Sequence, residues 1–280
     1  VVRQMRESGM TEEETRKNLR EVFGVTEEKI ELAMTVAKNE MKILKDVASN
    51  SASVYIGIPF CPSKCLYCSF VSSDMRTGKK YVKKYVELLG KEIKKAAGIL
   101  KELGFYIENI YIGGGTPTAV SAEELTKIFG YIREYFDLSG LKEFTLEAGR
   151  ADTITREKLV AAKNAGVDRI SINPQTMNKK TLETVGRLHD DKDVVNAFKL
   201  ARECGFDNIN MDLIAGLPGE NAQMFYRSLE EVIKLDPEDI TVHSLCIKRA
   251  AALRMSGFSK GDAKETEKML SYTQKRMKET

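Results

Sequence analysis

The run Asn208-Ile209-Asn210-Met211-Asp212-Leu213 alternates polar and apolar side chains without a break. In an extended strand this period of two puts Ile209, Met211 and Leu213 on one face and Asn208, Asn210 and Asp212 on the other. The same alternation recurs at 54–58, 109–112, 143–147, 169–173 and 239–245. Each of these short runs is followed by a longer amphipathic stretch, near 79–103, 121–135, 155–165, 191–204, 221–235 and 261–278. Strand, helix and strand in repetition predict a parallel sheet, because parallel neighbours need a long crossover. Strands covered on both faces read as continuous apolar runs, whereas these carry one apolar and one polar face. A curved, partly closed (β/α)6 barrel satisfies that pattern, with helices on the apolar outside and a polar ligand inside. The first crossover helix is expected to bury Tyr81, Tyr85, Leu88, Leu89, Ile93, Ala96, Leu100 and Leu103.

Residues 1–50 read as a separate helical extension to a core of 51–280. Thr11 with Glu14 forms a capping-box pattern, Gly24 a stop and Thr26 the next cap. Ile30, Ala33, Met34, Ala37, Met41 and Leu44 then repeat at helical spacing and predict a docking face. Val1 in place of Met, and a last helix running to Thr280, read as a fragment of a longer chain.

Composition excludes more than it selects. Forty-four basic against 41 acidic residues leave +3, which argues against a general nucleic-acid binder. No apolar stretch has the length of a membrane span. The five cysteines fit no even disulfide framework.

Three of them, Cys61, Cys65 and Cys68, share one short loop. A structural zinc site wants four protein ligands, and no second pair lies nearby. Three thiolates on a cubane iron–sulfur cluster would instead leave one iron open. Zinc and buried structural thiols remain the bland alternatives, and Cys204 and Cys246 read as small core residues. A cluster implies a reducing compartment, hence the cytoplasm.

The other residues of chemical interest fall at strand carboxyl ends, where barrel enzymes gather their active groups. Gly113-Gly114-Gly115-Thr116-Pro117 lets backbone approach a ligand without Cβ interference. Glu147, Gln175 and Asp212 close later strands, and His243, Lys248 and Arg249 close the last. Arg187 is either a bidentate carboxylate partner or a solvated helix-end cation, and His189 reads as surface.

The runs 54–61, Ile112-Gly113-Gly114-Gly115-Thr116-Pro117, Asn173-Pro174-Gln175-Thr176-Met177 and 210–219, with the Cys-x-x-x-Cys-x-x-Cys loop, resemble the radical S-adenosylmethionine (SAM) superfamily. Within it they are similar to the oxygen-independent coproporphyrinogen III oxidase (dehydrogenase) family, HemZ-type branch, over about residues 52–250. The resemblance implies a partial (β/α)6 TIM-type barrel, with the family's C-terminal substrate-closing domain missing. It implies that Cys61, Cys65 and Cys68 ligate a [4Fe–4S] cluster. Tyr55, Tyr67, Gly114, Gly115, Thr116, Glu147, Gln175, Arg187, Asp212 and Ile214 would hold SAM. The implied reaction is reductive SAM cleavage to a 5′-deoxyadenosyl radical, which oxidatively decarboxylates coproporphyrinogen III propionates to vinyls. An electron donor such as flavodoxin or ferredoxin is then a partner. Lys64, Arg150, Lys248, Arg249 and Arg254 are the candidate cations for the substrate carboxylates. After Cys68 come Ser69-Phe70 where the dehydrogenases continue Gly-Cys, a departure shared with the related haem chaperones.

Overall fold

A computed structural model describes residues 1–45, 47–249, 251–254 and 263–279. The chain folds as two units, Val1–Ser51 and Ala52–Thr280.

The first unit holds α1 (Val2–Glu7), α2 (Glu12–Glu21) and α3 (Glu27–Leu44). Thr11 and Glu14 close the expected capping box: the Glu14 amide donates to Thr11 Oγ1 at 3.2 Å and the Thr11 amide to Glu14 Oε2 at 2.7 Å. Thr26 occupies the cap position of α3, but its side chain makes no capping hydrogen bond. Ile30 and Met34 on the α3 stripe pack with Leu19, Val2 and Val25 of this unit. The stripe fails at its far end, where Leu44 is exposed.

The second unit is built on six strands: β1 (Ser51–Ile58), β2 (Tyr106–Gly114), β3 (Glu143–Glu147), β4 (Arg169–Ser171), β5 (Ile209–Ala215) and β6 (Asp239–Ser244). They lie side by side in sequence order, and β2 through β6 pair in parallel. Sequence order in space requires every crossover to step the same way, and right-handed crossovers then wind the sheet toward a barrel. The connecting helices are α4 (Met75–Glu102), α5 (Ala122–Tyr135), α6 (Arg156–Asn164), α8 (Asp191–Glu203) and α9 (Ala222–Leu235). A final helix, α10 (Ala263–Arg276), lies within the stretch expected at 261–278, whose first two residues are outside the described set. A short α7 (Lys179–Thr184), missed in the sequence, precedes Arg187.

The alternation sorts the two faces as expected. Ile56, Ile58, Ile110, Ile112, Phe144, Leu146, Ile170, Ile172, Ile209, Met211 and Leu213 join one core with the helices outside them. The inner face is a polar ladder. Asn210 Nδ2 donates to Ser171 Oγ at 3.1 Å and to Asp212 Oδ1 at 2.7 Å, and Thr241 Oγ1 donates to Asn210 Oδ1 at 2.9 Å.

On α4 the expected stripe holds in part: Leu89 and Ile93 are buried, and Tyr85, Ala96 and Leu100 pack against the core. Tyr81, Leu88 and Leu103 are exposed, while Val82, Val86, Leu89, Ile93 and two glycines face inward. Two glycines account for the difference: a Cβ on Gly90 would stand 2.5 Å from the Tyr131 ring of α5 and one on Gly78 2.5 Å from Ser73 Oγ, so small residues set the seam and apolar spacing alone misplaces it. Cys246 is a second correction. It is exposed beyond β6, whereas Cys204, partly buried, packs against the core as expected.

Candidate active site

Past β1 the chain runs through Pro59 into a two-residue parallel ladder, Phe60–Cys61 against Ser73–Asp74. The intervening loop is pinned from several sides. The Leu66 amide donates to Val185 O at 3.0 Å, Ser63 Oγ to Gly186 O at 2.9 Å and the Leu253 amide to Leu66 O at 2.7 Å. Cys61, Cys65 and Cys68 are free thiols, each half-buried, on the wall of a cleft of about 380 Å³.

The glycine run is stitched to this loop. The Gly115 amide donates to Ile58 O and the Thr116 amide to Phe60 O, both at 2.8 Å, and Thr116 Oγ1 lies 3.6 Å from Cys61 Sγ. A Cβ on Gly115 would meet Phe60 O at 2.7 Å, Ile58 O at 2.9 Å and Cys61 Sγ at 3.0 Å. Glycine is therefore demanded there by neighbouring backbone, besides any ligand.

All six strands end at this cleft. Its lining includes the three cysteines, Tyr67, Gly114, Gly115, Thr116, Glu147, Gln175, Arg187, Asp212, Ile214, His243 and Lys248. Tyr55 and Arg249 are not among these residues; Tyr55 is exposed and stacks on Tyr111 at 5.8 Å between centroids. Arg254 lies outside the described side chains.

Two polar side chains of the cleft lining are unsatisfied. Asn173 Oδ1 and Gln175 Oε1 are buried with no hydrogen-bond partner among the described residues. Gln175 adopts φ 67°, its amide donating to Asp212 O at 2.8 Å while its carbonyl accepts from the Ile214 amide at 2.9 Å. A left-handed non-glycine residue with an orphaned side chain marks a position held for contact with something else. Burial, then the nearby charge of Asp212, raises the Glu147 carboxyl to about 7. Asn173 escaped notice in the sequence as a site residue, although its place at a strand carboxyl end was the available signal.

The two arginines differ from expectation. Arg187, neither solvated nor paired with a carboxylate, is buried and donates to Asn173 O at 2.6 Å, Gly149 O at 3.3 Å and the Tyr67 hydroxyl at 3.3 Å. Arg150 is no free cation at the mouth: it is buried and pairs with Asp152. His189, expected at the surface, is 2% exposed and its Nδ1 lies 3.2 Å from Asp152 Oδ1. Arg150 and Arg187 lie in short loops that read as surface but are contacted by the cysteine loop, through Ser63 and Tyr67. Lys64, Lys248 and Arg249 remain exposed. Burial pushes the Cys68 thiol upward, with Cys65 and Cys61 adding to it, so at this position the thiol is not one of lowered pKa.

The donor set fits a cluster better than a lone ion. Among the described residues no three His, Cys, Asp or Glu side chains gather closely enough to hold one metal ion. A cubane takes one thiolate per iron, so its cysteines stand farther apart than ligands of a single ion, and three leave one iron open.

The sequence matches the family model of the radical SAM superfamily over residues 55–232. The chain belongs to the radical SAM superfamily. Radical SAM proteins use a [4Fe–4S] cluster and SAM, and those are its cofactors. It is 40% identical over 250 residues to the oxygen-independent coproporphyrinogen-III oxidase-like protein HemZ of Bacillus subtilis, covering 88% of this chain and 50% of that one. It is 39% identical over 197 residues to the heme chaperone HemW of the same organism, covering 70% and 51%. The radical SAM coproporphyrinogen III oxidase HemN of Escherichia coli superposes with a TM-score of 0.72 at 24% identity, over 82% of this chain and 52% of that one, a likeness of fold. The chain thus spans about half the length of the curated relatives it matches. Among the described residues no helix is long and apolar enough to cross a membrane.

Proposed function

We propose that the cleft is the cofactor site of a radical SAM oxidoreductase, and that its substrate is coproporphyrinogen III, whose propionates are oxidatively decarboxylated to vinyls. The observation that carries this reading is the meeting, in one cleft, of three free thiols with the ends of six strands and orphaned polar groups. Cys61, Cys65 and Cys68 would ligate the cluster. Gly114, Gly115 and Thr116 would meet the methionine end of SAM, with Glu147, Gln175, Arg187 and Asp212 around its methionyl and ribose parts. Tyr67 and Ile214 would line the adenosyl side, and Tyr55, outside the cleft lining, would act from the edge of the first strand.

When bound, the cluster supplies the electron for cleaving the SAM sulfonium, and SAM the means of hydrogen abstraction. The protein's own part is to bind, orient and dry the site. Arg187 ties Asn173, Gly149 and Tyr67 into one wall, which fixes the cleft before ligand enters. Glu147, near neutrality in the free protein, would hold a proton until a cationic or hydroxylated ligand makes the carboxylate preferable. At the mouth, Lys64, Lys248 and Arg249 are the exposed cations suited to substrate carboxylates. The cytoplasm is the proposed location, and a flavodoxin- or ferredoxin-like protein the proposed electron donor.

A second reading, haem binding without turnover, is favoured by the likeness to HemW and by Ser69-Phe70 after the last cysteine. Anaerobic reconstitution with iron and sulfide, followed by SAM and reductant, separates the two. Dehydrogenase function predicts 5′-deoxyadenosine together with vinyl-bearing porphyrin, whereas tight haem binding with no decarboxylation would replace it by the chaperone reading. One zinc per chain after full reconstitution would refute both.

A further inference from the structure

Among the described residues two buried guanidinium groups interact with Cys65, those of Arg187 and Arg150, and it is Arg150 that also bridges to the loop backbone at Ser63. Arg150, 2% exposed, directs one end of its guanidinium at Asp152, with Nε to Oδ1 and Nη2 to Oδ2 both at 3.0 Å. Its other end grips the cysteine loop: Nη1 donates to Ser63 Oγ at 2.9 Å and to Ser63 O at 3.2 Å, and lies 4.0 Å from Cys65 Sγ. Asp152 is held in turn by buried His189 at 3.2 Å. Ser63 continues the chain to Gly186 O. A planar, permanently charged fork is suited to such bridging, and lysine could not make both ends at once.

We propose that Arg150, braced by Asp152 and His189, is a positioning residue for Cys65 that keeps the thiolate in ligating register and raises the reduction potential of the cluster bound there. The proposal rests on the assignment of Cys65 as a cluster ligand. The physical ground is that hydrogen bonds to the sulfurs and nearby charge set the potentials of such clusters. A buried guanidinium is screened less by solvent than the exposed lysines at the mouth. Adding an electron makes the cluster more negative, so a fixed positive charge beside one thiolate favours the reduced state.

The test compares the 280-residue chain with Arg150→Gln and Arg150→Lys in two measurements. In the reconstituted proteins, an anaerobic redox titration followed by electron paramagnetic resonance should show Arg150→Gln at least tenfold harder to reduce, about 59 mV more negative for one electron. Arg150→Lys should recover at least half of that shift, since it keeps charge without the fork. In the proteins before reconstitution, amide hydrogen exchange of 61–68 should rise several-fold in Arg150→Gln, with the rest of the barrel unchanged. This second arm needs no cluster and decides the positioning role even where the variant loads poorly. A potential and an exchange pattern both equal to the parent's in Arg150→Gln would overturn the proposal. Equal displacement of the potential in the Lys and Gln variants would overturn its electrostatic half. A parent that takes up no four-iron cluster would overturn the underlying ligand assignment while leaving the exchange result to judge the brace.

Discussion

Glu220 sits just past the Gly216-Leu217-Pro218-Gly219 turn with only 9% of its surface exposed. One carboxylate oxygen accepts from Thr176 Oγ1 at 2.5 Å, and the other is buried with no partner among the described residues. Burial is the larger influence and raises the group from 4.5 to about 7, the Thr176 hydrogen bond opposing it. The folded chain therefore keeps a proton that the unfolded chain gives up between about pH 4.5 and pH 7. Where the folded state holds more protons, stability falls as pH rises. About 2.5 units of difference correspond to roughly 3 kcal/mol, lost across that window and constant above it. Glu147, raised likewise to about 7, adds a loss of the same sign, so the informative quantity is a difference between two proteins. Glu220→Gln keeps an acceptor for Thr176 and cannot ionise. Its urea-unfolding free energy should exceed the parent's by roughly 2–3 kcal/mol at pH 8 and match it within about 1 kcal/mol at pH 5. The same offset at both pH values would refute the reasoning, because an effect independent of pH comes from packing and not from a buried charge.

Other substitutions probe the cleft. Gly115→Ala should cut iron uptake on reconstitution by more than half, as its Cβ would press on Phe60 O, Ile58 O and Cys61 Sγ; Gly98→Ala, with open space around it on α4, should stabilise by about 0.5–1 kcal/mol and leave iron uptake alone. SAM affinity, measured by equilibrium dialysis, should weaken up to tenfold per unit as pH falls below about 7, where Glu147 gains its proton, and Glu147→Gln should abolish that dependence; a pH-independent parent would count against Glu147 as a SAM contact. Lys248→Ala with Arg249→Ala should raise the substrate concentration needed for vinyl product several-fold while sparing SAM cleavage, and unchanged turnover at low substrate would remove both from the substrate site.

The parts of this molecule that were legible in sequence are those governed by a period. The two-residue alternation in 208–213 assigned each strand residue to core or cleft, because a strand has only two faces and a slip of one residue exchanges them. Strand ends followed, and with them Glu147, Gln175 and Asp212 at one rim. A helix has no such binary choice. On α4 the apolar stripe spans enough of the surface that small residues decide the seam, and Gly78 and Gly90 turned Val82 and Val86 inward at the expense of Tyr81 and Leu88. The loop residues were least legible. Arg150, Arg187 and His189 carry the composition of solvated surface, yet the cysteine loop reaches Arg150 through Ser63 and Arg187 through Tyr67, each from more than eighty residues away in the chain, and His189 is buried beside Asp152. Buried charge of this kind is costly unless every donor is placed, so a tightly partnered guanidinium between two loops is evidence that the loops must keep one geometry. That requirement is expected where three thiolates have to meet a preformed group, and it accounts for a buried guanidinium bridging Cys65, Ser63 and Asp152.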